Sequence, residues 1–344
     1  MDINLMNRYN ELIENIGKTL SNSRNKISKV INSELLLTKW EIGRHIIEYE
    51  QHGNEKAEYG SNLLDRLAKD LKQKYGVGFS RRSVSDMRRF YLIYPIWQTV
   101  SAKLSWSHYV ELLSIKDELE RSFYEKQCIS DNWNVRELQR QKNSSLFQRL
   151  ALSRDKAGIM QLSRKGQIIE NERDIIRDPY VLEFLGMPEK NIYSEKELEQ
   201  KIMDNLQDFL LELGKGFTFV GRQYRITLNN THYYIDLVFY HRHLRCFVLI
   251  DLKIHKIDHA DIGQMSMYLG YFKKEETLEN ENPPIGIILA KEKDEILVEY
   301  ATEGISSKLF VSEYKLYLPD KKLLEQRLNF LLANSNESDS ELII

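Results

Sequence analysis

The spacing of apolar residues changes from a helical to a strand-like period about halfway along the chain. In residues 1–150, apolar side chains recur every three or four positions, as in Leu12, Ile16 and Leu20, and Pro95 is the only proline. This period predicts helices, at about 5–49, 61–75, 81–94, 107–127 and 134–150. We therefore expect an all-α N-terminal domain over residues 1–150.

The second half of the chain predicts a different class of fold. After an amphipathic helix over 194–214, strand-like segments follow at about 217–227, 233–241, 245–253 and 285–290, with a helix at 258–272 before the last. This order indicates an α/β domain with a mixed sheet over residues 191–330. Residues 151–190 mix charges, glycines and prolines, which is typical of a connector, and 331–344 resemble a polar, frayed tail.

Two of the predicted strands carry acids that burial alone would not select. In YYIDLVFYHRHLRCFVLIDLK, residues 233–253, Asp236 interrupts one apolar run, Asp251 ends the next, and Lys253 follows two residues later. Side chains alternate along a strand, so Asp251 and Lys253 point to the same face. Such groups are costly to bury unless they pair or bind a metal. A structural pair of Asp236 with Arg245 or Lys253 is one interpretation; metal-assisted phosphodiester hydrolysis is the other.

The composition says more about where the protein works and what kind of surface it has than about which reaction it catalyses. Lys plus Arg number 49 against 51 Asp plus Glu, so any basic surface must be local. The two cysteines exclude a disulfide framework and a cysteine metal cluster. Neither a signal-peptide pattern at the N-terminus nor an apolar run of about 18 residues is present, which favours a cytoplasmic protein without a membrane segment.

A local basic patch is predicted in the helical half. Helix 61–75, the turn GVGF and helix 81–94 form a helix-turn-helix-like unit. Its second helix carries four arginines largely off the apolar stripe, namely Arg81, Arg82, Arg88 and Arg89. Such a helix could bind the phosphates or a groove of a nucleic acid. A solvated face or a protein-contact surface is the alternative.

Ordered sequence blocks resemble a known family. The blocks LGKGFTFVGRQYRI, YYIDLVFYHRHLRCFVLIDLK, GQMSMYLGYF and IGIILAKEKD resemble PD-(D/E)XK nucleases, and most closely the nuclease domain of YhcG-type bacterial proteins. TKWEIGRHI, AEYGSNLL, GVGFSRRSVSDMRRFY and LSWSH resemble the helical domain of the same proteins. The resemblance covers nearly the whole chain and implies a restriction-endonuclease-like sheet and nuclease activity.

The resemblance also implies roles for individual residues. Asp236 and Asp251 would hold one or two divalent ions, and Lys253 would orient or activate the attacking water and stabilise negative charge. Gln264 matches the glutamine on the helix after the lysine strand. Aspartate stands at 251 where close relatives usually carry glutamate, and the shorter side chain leaves the metal distance open.

A third acid is expected in the helix before the first strand. Glu199 matches the family's N-terminal acid and could complete the metal shell, although Glu195 and Glu197 are close enough to take that place. Oxygen ligands without cysteine favour Mg²⁺ or Mn²⁺ over zinc. Zinc bound by His255 and His259 is a weaker alternative, because the pair spans a predicted strand–helix loop.

The following helix adds two polar residues on one face. Gln264 and Tyr268 are four positions apart, so both could contact backbone phosphates or support Lys253. The sequence therefore predicts a Mg²⁺-dependent nuclease acting on nucleic acid, with DNA favoured over RNA, whose helical domain aids substrate binding or assembly. A non-catalytic nucleic-acid-binding or assembly protein is the alternative. Many PD-(D/E)XK enzymes form homodimers, and the sequence leaves the oligomeric state open.

Overall fold

The computed structural model describes residues 3–52, 59–152, 154, 156–187, 193–294, 296, 298–299 and 308–338. The chain divides into two compact units, Met1–Gln139 and Arg140–Ile344. Across the described ranges, none of the helices combines the length and the apolar character needed to span a membrane.

The N-terminal unit is helical in its described residues, as predicted. Its helices are α1 (Ile3–His52), α2 (Tyr59–Tyr75), α3 (Arg81–Ile93), α4 (Trp106–Leu113) and α5 (Glu118–Asp131), and α6 (Val135–Asn143) covers the boundary between the units. Ser80 caps α3 by accepting from the N–H of Ser83 at 3.1 Å. Helices α1 and α3 pack so closely at Gly43 that a Cβ on this residue would lie 2.1 Å from the carbonyl oxygen of Met87. Only glycine fits at this crossing.

Three predicted helices are each broken into two, so those single-helix predictions were wrong. Residues 107–127 divide between α4 and α5, where Asp117 accepts from the N–H of Glu120 at 2.7 Å and starts a new helix. Residues 134–150 divide between α6 and α7 (Leu146–Ala151) at Ser145, whose φ of 54° is left-handed. Residues 194–214 divide at Asn205. At Asp117 and Asn205 a short polar side chain hydrogen-bonds to the backbone and competes with the helix, while the apolar period continues across all three breaks.

The C-terminal unit is an α/β fold built on a mixed sheet, which confirms the predicted fold class. Its further elements are α8 (Lys156–Lys165), β1 (Tyr180–Val181), α9 (Glu195–Asp204), α10 (Leu206–Leu213), β2 (Phe217–Leu228), β3 (Thr231–His241), β4 (Cys246–Lys256), α11 (His259–Tyr271), β5 (Ile285–Glu292), β6 (Lys308–Lys315) and α12 (Lys321–Ser338). The described strands have the order β1-β6-β5-β4-β3-β2. Strands β2, β3 and β4 are antiparallel neighbours, whereas β4, β5, β6 and β1 run parallel.

The segment expected to be a connector is tied to this unit by a buried ion cluster. Glu212 on α10 is fully buried and pairs with Arg149 at 2.7 Å, Arg177 at 3.2 Å and Arg140 at 3.3 Å. Its Oε1 also accepts from the N–H of Val181 in β1 at 2.9 Å. Of the predicted tail, residues 331–338 belong to α12, and 339–344 lie outside the described residues.

Each face of the sheet carries its own apolar core. Along β4, Ile250 and Leu252 pack into the core beneath α9 and α10, whereas Leu249 packs into the core beneath α11. Alternation places Asp251 and Lys253 on the α11 face. Helix α11 packs so closely on β5 that a Cβ at Gly286 would lie 2.8 Å from the side chain of Met265. This close packing fixes α11 above the two charged residues.

Candidate active site

Two acids face each other where strands β3 and β4 part. The register pairs Leu237 with Ile250, and pairing ends there, so the next step along the strands places Asp236 opposite Asp251. The backbone N–H of Leu252 then donates to Oδ2 of Asp236 at 2.8 Å rather than to a strand partner. The end of the ladder therefore brings together the two acids that the sequence singled out.

Lys253 adds a cation from the same strand as Asp251. Its Nζ lies 2.8 Å from Oδ2 of Asp251 and 3.6 Å from Oδ1 of Asp261. The same Nζ donates to Oε1 of Gln264 at 3.5 Å. Lys253 is 9% exposed and Asp251 is 2% exposed. The ammonium group is thus held between β4 and the first turns of α11.

Gln264 and Tyr268 form a hydrogen-bond chain behind Lys253. Nε2 of Gln264 donates to the Tyr268 hydroxyl at 2.6 Å, and that hydroxyl donates to the carbonyl oxygen of Tyr234 at 3.0 Å. Burial raises the pKa of Tyr268 to about 12, so the hydroxyl keeps its proton. Tyr268 is fully buried. Of the two roles expected for it, support of Lys253 through Gln264 fits this position, and direct contact with phosphate does not.

Glu199 joins the group through Gln223, a residue that the sequence analysis missed. Nε2 of Gln223 donates to Oε2 of Glu199 at 2.8 Å and to Oδ1 of Asp236 at 3.0 Å. Gln223 has a left-handed φ of 46°, a strained conformation for a non-glycine residue, just after an irregularity in β2. In this largely solvent-exposed edge strand, no sequence signal separates Gln223 from its polar neighbours.

The two acids next to Glu199 in sequence have other partners. Glu197 accepts from the N–H of Ser194 at 2.7 Å and caps the start of α9. Oε1 of Glu195 lies 3.7 Å from Nε2 of His255. Glu199 is therefore the member of this trio whose carboxylate is linked to Asp236.

Burial and like charge dominate the electrostatics of the site. Burial, with a further contribution from the charge of Asp236, raises the pKa of Asp251 to about 7. Burial also raises the pKa of Asp236, against the hydrogen bond from Leu252. At Lys253, burial opposes the charged form, but Asp251 and other nearby carboxylates outweigh it and raise the pKa above its usual value. The site holds a lysine that stays protonated beside acids whose ionisation is disfavoured.

Comparison with known proteins identifies the family. A model of the YhcG PDDEXK nuclease domain matches residues 173–329, and a model of the DUF1016 N-terminal domain matches residues 15–149. The chain is also 39% identical to YhcG, a candidate nuclease of Escherichia coli (strain K12), over 93% of both chains. The protein belongs to the YhcG-type nuclease family. This confirms the resemblance inferred from the ordered sequence blocks.

Solved structures similar to part of this YhcG-type chain are endonucleases. A repair endonuclease from Pyrococcus abyssi is 22% identical over 38% of this chain and 50% of that chain, with a TM-score of 0.27. A complex of EndoMS with double-stranded DNA is 16% identical over 39% of this chain and 50% of that one, with a TM-score of 0.26. The chain thus spans about half the length of these structures.

PDDEXK nucleases generally use divalent metal ions, and the acids of this YhcG-type site suit such an ion. Within the described ranges, no group of three or more His, Cys, Asp or Glu side chains is arranged to hold a metal. His255 and His259 therefore belong to no such group there. Oδ2 of Asp251 is, however, a buried oxygen without a hydrogen bond of good geometry. Two close carboxylates with raised pKa values and such an oxygen are the donors that a hard cation prefers. Asp236 and Asp251 fit this role.

The four arginines of α3 have different surroundings. Nε of Arg88 donates to both carboxylate oxygens of Glu50, at 2.9 and 3.0 Å, and Arg89 donates to the carbonyl oxygen of Leu113. Arg81 and Arg82 have side chains that are 54% and 84% exposed. Arg81 lies 2.7 Å from Asp65. The arginines are thus split between two that stabilise the helical unit and two that face solvent.

Proposed function

We propose that the protein is a Mg²⁺-dependent nuclease that hydrolyses phosphodiester bonds, with DNA as its substrate and the cytoplasm as its setting. The observation that carries the proposal is the convergence of Asp236, Asp251 and Lys253 at the point where β3 and β4 part. Two buried, adjacent carboxylates are unfavourable by themselves and gain from a bound cation. The family of the chain is the reason for choosing a nucleic acid, with DNA favoured over RNA.

In this proposal two of the acids bind the metal ion, and a third acid helps to hold them in place. Asp236 and Asp251 would hold the ion, and Mn²⁺ could replace Mg²⁺ because both prefer oxygen ligands. When bound, the ion would lower the pKa of a water and neutralise the phosphate. Glu199 is linked to Asp236 by Gln223, so it can fix the position of that carboxylate or add an oxygen ligand.

Lys253 acts in this proposal as a positive charge rather than as a base. Its raised pKa keeps it protonated near neutral pH, so it cannot take a proton from water. A protonated amine can instead orient the attacking water and stabilise the charge that develops on the phosphate. Gln264, supported by Tyr268, would set the position of the ammonium group.

The test is cleavage by the full-length protein on a panel of duplex, single-stranded and branched DNA and of RNA. With Mg²⁺ or Mn²⁺ in millimolar excess we expect cleavage of at least one DNA substrate, and none when EDTA replaces the metal. A failure to cleave any substrate in the panel would contradict the proposal. So would cleavage that is equally fast in EDTA. Faster cleavage of RNA than of every DNA would overturn the choice of substrate.

We also propose that α2 and α3 form a helix-turn-helix-like unit that binds nucleic acid through Arg81 and Arg82. Replacing both arginines by alanine is expected to weaken DNA binding about tenfold and to reduce the salt dependence of the binding constant, because phosphate contacts release counterions. Binding is measured by fluorescence anisotropy at several salt concentrations. Lys126→Ala with Arg136→Ala removes the same charge from exposed sites of the unit and serves as the control.

Equal affinities of the arginine variant, the control and the wild type would reject this role. Arg88→Ala gives a further distinction. Because Arg88 is paired with Glu50, its loss is expected to lower the melting temperature of the protein before it affects DNA binding.

A further inference from the structure

Between residues 12 and 35, helix α1 carries an exposed apolar surface. Every residue from 12 to 31 whose side chain is described is exposed. The helix first attaches to its own unit at Asn32, whose Nδ2 donates to the carbonyl oxygens of Ala102 and Leu104, and at the buried Leu36. We define the α1 stripe as the eight large apolar side chains that are 51–61% exposed, namely Leu12, Ile13, Ile16, Leu20, Ile27, Val30, Ile31 and Leu35.

The spacing of the stripe is that of a helix that pairs with another helix. Ile13, Ile16, Leu20, Ile27 and Val30 follow alternating steps of three and four residues, with Ser23 filling the one missing position. This period of 3.5 residues keeps one face in contact with a neighbouring helix along its length. A helix that only covered its own domain would bury this face, as the second half of α1 does.

The composition of this segment requires a partner for the helix to be stable. Residues 12–31 include Gly17, Thr19 and several serines, asparagines and β-branched isoleucines, which are weak helix formers. Exposed helices of such sequence are marginal in water, because most helical stability in proteins comes from packing an apolar face. The stripe therefore needs a surface to pack against.

We propose that the α1 stripe pairs with the same stripe of a second copy of this chain, in antiparallel orientation. Eight half-exposed apolar side chains offer roughly 100 Å² each, or about 800 Å² per copy, which is the area that each partner buries in a standard protein interface. Because both copies use the same surface, the pair has twofold symmetry and forms a closed dimer in which neither stripe remains available to a third copy. The pairing completes an interface without help from the candidate active site.

The single polar position of the seam favours the antiparallel orientation. When the two helices run in opposite directions with Ile16 level with Ile27 of the second copy, Ile13 is level with Val30 and Ser23 with Leu20. Each Ser23 then faces an apolar side chain. A parallel, in-register pair would instead place the two Ser23 side chains opposite each other and interrupt the apolar seam with a polar layer.

The first test is the oligomeric state of the full-length protein. Light scattering during size-exclusion chromatography is expected to give a dimer at micromolar concentration. Leu20→Glu with Ile27→Glu is expected to raise the dissociation constant of the dimer at least a hundredfold. Asn15→Glu with Asn22→Glu adds the same charges at the same spacing on the opposite, exposed side of the helix and is expected to leave the dimer in place. A monomeric wild type, or a dimer unaffected by the stripe variant, would overturn the proposal.

Cross-linking tests the orientation with substitutions that add no charge. The two native cysteines, Cys128 and Cys246, are buried, so new cysteines on α1 are selectively oxidised. The double variant Ile16→Cys with Ile27→Cys is expected to form a disulfide-linked dimer. Ile16→Cys alone is not, because the two copies of residue 16 would lie about 16 Å apart along the helices. Efficient cross-linking of the single variant would contradict the antiparallel arrangement.

Discussion

Replacing Lys253 with methionine is expected to slow Mg²⁺-dependent cleavage about a thousandfold in protein that still folds. Methionine keeps most of the apolar stem of lysine but removes the charge that lies 2.8 Å from Asp251 and within reach of Gln264. Without that charge, the attacking water loses an orienting group and the developing negative charge loses its nearest side-chain cation. Single-turnover cleavage rates at saturating protein measure the effect on the chemical step and leave substrate affinity aside.

Two further variants and a check of folding make this result specific to Lys253. Lys256→Met alters an exposed lysine of the same strand, paired with Asp294, and is expected to keep nearly the wild-type rate. Lys253→Arg keeps a charge but not its compact shape, so an intermediate rate is expected. Circular dichroism checks that each variant folds. Equal rates for Lys253→Met and Lys256→Met would remove Lys253 from the proposed mechanism.

The charged residues of this site could be foreseen because strand geometry leaves few choices. Asp251 and Lys253 are two apart on an apolar strand, and Asp236 lies on the preceding strand across a short turn, so a regular hairpin brings all three near one edge. The fold class followed from the same period of apolar residues. Resemblance to the nuclease family then added Glu199 and Gln264, which period alone would not have selected.

Other parts of the site depend on backbone irregularities that a periodic pattern does not encode. Gln223 reaches both Glu199 and Asp236 because β2 is irregular just before it and its backbone is left-handed. The two-residue β1 is too short to show any period, and the helix breaks at Ser145 and Asn205 interrupt an apolar spacing that itself continues. In each case the backbone departs from a regular helix or strand, whereas the sequence pattern reports only which side is apolar.

The α1 stripe illustrates the same limit at a larger scale. Its residues follow helical spacing in the sequence, and that spacing correctly predicts one apolar face. Period does not tell whether the face packs inside its own domain or against another molecule. Only the structure separates the buried Leu36 from the exposed Leu35 beside it.

Replacing Asp251 with asparagine is expected to change the free energy of unfolding of the metal-free protein more favourably at pH 8 than at pH 5. Burial and Asp236 raise the pKa of Asp251 to about 7, whereas an unfolded aspartate titrates near 4. When the pH is below both pKa values, Asp251 is protonated in the folded and the unfolded state and its burial as a charge costs no stability. As the pH rises from about 4 to 7, the unfolded chain releases a proton that the folded protein retains, so stability is lost. Above 7 the full penalty remains, and asparagine escapes it.

The expected difference between the two pH values is on the order of 3 kcal/mol in the free energy of unfolding, measured by urea denaturation in EDTA. The pairing of Lys253 with ionised Asp251 is already included in this difference, because the charge of that lysine lowers the pKa of Asp251 against the effect of burial. Glu279→Gln removes an exposed acid of the same unit and is expected to shift stability equally at both pH values. A pH-independent effect of Asp251→Asn would show that Asp251 ionises normally.

Addition of Mg²⁺ connects this stability effect to the proposed site. A cation held by ionised Asp251 and Asp236 binds the folded state alone, so it is expected to raise the melting temperature of the wild type at pH 8. The asparagine variant lacks one of the two charges and is expected to respond much less. Since burial and Asp236 disfavour ionised Asp251 when metal is absent, the residue whose loss is expected to abolish cleavage is the same one whose loss removes this penalty from the apo protein. Equal stabilisation of both proteins by Mg²⁺ would mean that the ion binds elsewhere.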